Sequence, residues 1–139
     1  MRFRSLLVPL LFLSASITAD ASEFVRASIY FVPWRVESYV AMRPEDVRNA
    51  AQHREVGSRV FRVTSAVRIA EVLGVLDLGA LHPERADYRE DTRLVVDFFD
   101  RSGKQTSYRA NPGFLANLRN TMRRNIDARF RKYFETFTP

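Results

Sequence analysis

The chain contains no cysteine. That excludes disulfides, Cys-ligated zinc, a thiol nucleophile and a lipidated N-terminal cysteine. Imidazoles are nearly as scarce, since His53 and His82 are the only two. Among 22 basic residues only Lys104 and Lys132 are lysines. Five glycines in 139 residues supply no phosphate-cradling loop. No G-x-S-x-G elbow, P-loop, H-E-x-x-H or EF-hand spacing occurs. Past the first twenty or so positions, no apolar run approaches the ~20 residues a membrane-spanning helix requires.

What is present begins with the N-terminus, which reads as a secretory signal. Arg2 and Arg4 form a positive start, Leu6, Leu7, Val8, Leu10, Leu11, Phe12 and Leu13 an apolar heart, and Ala19-Asp20-Ala21 a small-residue cleavage site. Cleavage after Ala21 is expected, leaving residues 22–139 as a single secreted or periplasmic domain with no transmembrane segment. No internal repeat, linker or low-complexity run divides it.

Charge is distributed unevenly. The formal net charge of +6 conceals a body, residues 22–100, with 11 basic and 13 acidic groups, and a section from 101 to 139 with nine basic and two acidic ones. Such asymmetry suits an interaction surface. In an exported chain it points to an acidic protein surface or an anionic envelope component rather than to nucleic acid.

Hydrophobic periodicity predicts an α+β fold in the order β-α-β-α-β-β-α, a small, largely antiparallel sheet with helices packed on one face. Val25 to Val32 is rich in β-branched and aromatic residues and reads as a strand. Pro44 opens a helix, with Glu45 and Asp46 complementing the positive end of its dipole. Ser58 to Val63 is a short strand. Thr64 or Ser65 caps a second helix whose Ile69, Val72, Leu73 and Leu76 repeat at the spacing of a buried stripe.

Arg93 to Phe99 and Lys104 to Ala110 form a hairpin around Gly103. Pairing Phe98 with Thr106 and Val96 with Tyr108 turns Leu94, Val96, Phe98 and Tyr108 toward the helices. From Asn111-Pro112 onward the pattern reads as helix, but a single helix would carry Arg119 and Arg129 on its apolar stripe with Arg123 at the edge. A break near Asn120 to Asn125 relieves this, with Asn125 capping a final helix from Ile126 to about Thr136.

No catalytic residue, metal site or cofactor is expected. His53 and His82 read as surface histidines, and the acidic run Glu84, Asp87, Glu90 and Asp91, interleaved with Arg85 and Arg89, as a solvated loop. Asp97, mid-strand among apolar residues and beside Arg93 and Arg109, reads as a structural ion pair or as the centre, with Arg109, of a polar binding face. Arg123, Arg124, Arg131 and Lys132 are the strongest partner-binding candidates. Trp34, following Pro33 at a strand end, either closes the core or anchors an interface.

Three functions fit these features. The first is a small non-catalytic binding protein of the inhibitor or immunity type that binds another protein. The second is an envelope-associated protein that grips anionic lipid or glycan through its basic C-terminal section. The third is a small hydrolase with a site assembled from distant residues, His53, His82 or a carboxylate pair among them.

Overall fold

The computed structural model describes residues 23–84 and 91–139. The expected signal segment and the centre of the acidic run, residues 85–90, lie outside the described residues. Seven strands pair antiparallel in one sheet: β1 (Phe24–Phe31), β2 (Arg59–Val63), β3 (His82–Pro83), β4 (Leu94–Asp100), β5 (Gln105–Ala110), β6 (Phe114–Asn117) and β7 (Met122–Asn125). Their spatial order is β2-β1-β4-β5-β6-β7-β3. Three α-helices complete the fold: α1 (Pro44–Gln52), α2 (Ala66–Leu76) and α3 (Ala128–Glu135). None of the described helices is long and apolar enough to cross a membrane. The fold is thus the expected small α+β arrangement with an antiparallel sheet.

The central hairpin has the expected register, with Phe98 opposite Thr106 and Val96 opposite Tyr108. Alternation then dictates the two faces. Ala27, Ile29, Phe31, Leu94, Val96, Phe98 and Leu115 point toward α2 and α3 and meet Ile69, Val72, Leu76, Phe130, Phe134 and Phe137 in the main core. Residues one position along face the other way, where Val32 and Val95 pack with Val47 and Ala50 of α1 in a smaller cluster. All the helices were expected on one face; α1 instead covers the second. Its thin stripe of Val47, Ala50 and Ala51 suits a shallow contact over β2, β1 and β4.

The section after Pro112 departs from the helical expectation. Residues 114–125 form the β6–β7 hairpin, and only α3 is helical. In the hairpin Leu115 stands opposite Arg124 on the face toward α2 and α3, and Ala116 opposite Arg123 on the other. Of the guanidiniums that would have crowded a helical stripe, Arg119 lies in the β6–β7 turn, Arg123 in β7 and Arg129 in α3. Asn117 Oδ1 closes the turn by accepting bonds from Thr121 N at 2.9 Å and Met122 N at 3.1 Å. Asn120 takes the left-handed conformation there, which Asn tolerates better than most residues. The α3 N-cap is Asp127 rather than Asn125, accepting a 2.9 Å bond from Phe130 N. That bond holds the Asp127 carboxyl below the usual carboxylate range.

Candidate functional site

The antiparallel ladder gives the sheet two ends. One carries the turns 101–104 and 118–121. The other collects the β1–α1 loop, residues 32–43, the turn at 53–58 before β2, residues 111–113 and the start of α3. Gly57 and Pro33 are close enough that a Cβ added at Gly57 would lie 3.7 Å from Pro33 Cγ, so the first two of these segments touch.

The β1–α1 loop is fixed at its roots and open at its tip. Val36 N donates to Pro33 O, and Val36 and Met42 pack on the smaller core. Met42 N donates to Asp91 Oδ1 at 2.7 Å, while Met42 O accepts from Thr92 N at 2.9 Å. Between these anchors Tyr39 is fully exposed and Val40 is 74 % exposed. In the neighbouring turn Arg54, Val56 and Gly57 all have positive φ. For β-branched Val56, at φ 47° and 63 % exposed, that conformation is a real strain.

Beside the loop lies an open cleft of about 510 Å³, lined by Trp34, Arg35, Pro112, Arg131, Lys132 and Glu135 among others. Trp34 is nearly buried and forms its floor. The indole meets Phe31 edge-on at 5.1 Å between ring centres, and its Nε1 donates to Arg131 O at 3.0 Å. Arg131 in turn donates from Nη1 to Pro112 O at 2.9 Å. The β1–α1 loop, the β5–β6 connection and α3 are therefore tied together under the cleft. Arg35 and Lys132 stand exposed on its rim.

Of the residues singled out from sequence, Trp34, Arg131 and Lys132 converge on this cleft. The other four lie elsewhere. Asp97 is buried at mid-sheet, gripped by Arg48 of α1 through Nε at 2.9 Å and Nη2 at 2.8 Å, and accepts from Ser107 Oγ at 2.6 Å. The fork holds the Arg48 guanidinium more firmly in its charged form. Arg109 is half-buried on the same sheet face, opposite Val95 and Ala116. Arg124 points into the molecule, donating from Nε to Leu76 O at 2.8 Å and from Nη2 to Val75 O at 3.0 Å. It thereby satisfies carbonyls that the end of α2 leaves without helical partners.

Arg123 pairs with Glu84 at 3.1 Å and lies over the Phe114 ring. First Arg123 and then His82 hold the Glu84 carboxyl below its ordinary range. His82 Nε2 is 3.0 Å from Glu84 on an exposed surface, and His53 Nδ1 is 2.9 Å from the Asn49 carbonyl of its own helix. Among the described residues no three His, Asp or Glu side chains are grouped to hold a metal ion.

Sequence reasoning passed over Arg35, Val40 and Val56. From sequence, Val36 to Met42 reads equally as a short extension of the preceding strand or as a loop. A loop that breaks periodicity yet carries adjacent Tyr and Val was the available signal for Tyr39 and Val40. The strain at Val56 leaves no local mark in the sequence. Comparison with protein-family models, with curated proteins and with solved structures finds no match to this chain.

Proposed function

We propose that this chain is a small secreted, periplasmic, non-catalytic binding protein of the inhibitor or immunity type, which engages another protein through the loop end of its sheet. The observation that carries this reading is the β1–α1 loop, whose roots are hydrogen-bonded and packed while Tyr39 and Val40 stand in solvent at its tip. A held loop loses little conformational freedom on binding, and a projecting Tyr offers large contact area at low entropic cost. The strained Val56 and the basic cleft extend the same surface. Export rests on the N-terminal signal pattern, and the absence of a catalytic role on the local, exposed bonding of both histidines.

The test is capture from envelope extract at low and high salt, with the chain and with a Tyr39→Ser/Val40→Ser variant as baits. One stoichiometric protein, retained in high salt and lost with the variant, is expected. Recovery of lipid or glycan alone, released as salt screens the charge, would instead favour an envelope-surface role. Equal capture by both baits would contradict the assignment to the loop. A hydrolytic activity abolished by His53→Ala or His82→Ala would overturn the non-catalytic reading.

A further inference from the structure

The loop tip is convex and apolar, whereas the adjoining cleft is concave and charged, so the two require different things of whatever they meet. We infer that the cleft is a binding site for an extended acidic peptide segment. This deepens the protein-binding reading by naming the chemistry of the partner, and its test uses a defined peptide rather than a captured protein.

Three features converge on that occupant. The first is charge. Arg35, Arg131 and Lys132 line the cleft against the single carboxylate of Glu135. Guanidiniums and an ammonium around a partly desolvated hollow favour carboxylates, and arginine holds them through paired N–H donors. Arg131 uses Nη1 for the Pro112 carbonyl. A guanidinium has five N–H donors, so this bond leaves capacity for a ligand.

The second feature is the floor. Trp34 and Pro112 give the cleft an apolar bed, which a peptide's aliphatic side chains complement between its carboxylates. The Trp34 Nε1–Arg131 O and Arg131 Nη1–Pro112 O bonds hold bed and rim in place before anything binds. Such preorganisation lowers the ordering cost of association.

The third feature is shape. A bilayer presents a broad surface and makes poor contact with a floor recessed below a charged rim. A short peptide can meet both the exposed cations and the nearly buried Trp34 of such a cleft. Its volume of about 510 Å³ falls within the range of sites that take a few residues or a compact ligand.

The molecule carries its own reporter, because Trp34 is the only tryptophan in the chain. The experiment titrates an end-blocked pentapeptide, Glu-Leu-Glu-Leu-Glu, into the purified chain while tryptophan emission is followed. The same-length peptide with Gln for Glu, and phosphatidylglycerol vesicles, serve as the other arms. A saturable change with a Kd below about 1 mM is expected for the acidic peptide only, weakening as salt rises.

In an Arg35→Gln/Lys132→Gln variant the Kd should rise at least tenfold with the thermal midpoint unchanged, since both side chains are exposed. No saturable change with the acidic peptide, equal affinity for the Gln peptide, or unaltered affinity in the variant would each overturn the proposal. A response to vesicles in place of peptide would replace it with a lipid-headgroup site. Because the readout does not involve the loop tip, a negative result leaves the capture experiment with Tyr39 and Val40 standing by itself.

Discussion

The two ends of the sheet are built from different kinds of connection. At the hairpin end the polar side chains are used by the turns themselves. Asp100 Oδ1 accepts from Ser102 N and Lys104 N, both at 2.9 Å, and from Ser102 Oγ at 2.6 Å. Asn117 does the same for the turn at 118–121. The exposed apolar residues there, Val25, Val67 and Leu118, stand singly on separate segments. At the loop end, hydrogen bonds secure the roots, and at the tip Ser38 Oγ donates to Val40 O while the Tyr39 and Val40 side chains stand exposed side by side. Turns that only need to reverse the chain close on themselves. The loop end has rigidity where the chain emerges and unburied apolar area where it projects.

Each difference can be broken by substitution, and the largest effect belongs to the region shared by both ends. Asp97→Ala leaves the mostly buried Arg48 without its carboxylate and should cost about 3 kcal/mol, measured by denaturant unfolding. At the hairpin end, Asn117→Ala removes the side-chain acceptor of two backbone N–H groups and should cost about 1 kcal/mol in the same assay.

At the loop end, Val56→Gly relieves a left-handed β-branched residue and should stabilise by about 0.5–1 kcal/mol, while removing exposed apolar area from the proposed interface. A simultaneous gain in stability and loss in capture would sharpen the comparison. A loss in both would mean that Val56 supports the fold in a way its exposure conceals.

Acid should loosen a capping carboxylate at each end, Asp100 in the hairpin turn and Asp127 at the start of α3. The Ser102 hydroxyl, with backbone N–H groups of Lys104 and Ser102, holds the Asp100 carboxyl below its ordinary value. A carboxyl depressed in the folded state contributes stability above its unfolded pKa, near 4, and loses it as pH falls through the folded value. Protection of the Ser102 and Lys104 amides, relative to their intrinsic exchange rates, should therefore fall below about pH 4, while at Asp100→Asn the dependence should flatten. The smallest expected effect on stability is that of Tyr39→Ser/Val40→Ser, within about 0.5 kcal/mol, because neither side chain has packing to lose.

What could be read beforehand follows the same division. The β4–β5 register was legible because a largely apolar strand of seven residues, a turn with Gly103 and six returning residues bring Phe98 opposite Thr106. The β6–β7 hairpin was not. Its strands are four residues each, too short to display alternation, and Leu115, Leu118 and Met122 also satisfy helical spacing. Arg119 and Arg123 on that supposed stripe were the warning of a wrong period between 114 and 125, whereas Arg129 does lie in a helix, α3.

The cleft was legible only as separate pieces. Trp34 and Arg131 could be singled out, but the bond that joins them spans 97 positions and depends on where α3 crosses the sheet end. Arg124 shows the converse: its basic neighbourhood suggested a surface, while its guanidinium caps α2 from within. Charge counted along a chain does not distinguish an arginine that closes a helix from one that rims a cleft.

The most direct test of a functional loop end is a hydrogen–deuterium exchange footprint of the chain with its captured partner. Slowed exchange across residues 34–43, 53–57 and 128–136, with the turns at 101–104 and 118–121 unchanged, is the predicted result. Protection confined to those two turns, or to β7, would contradict it.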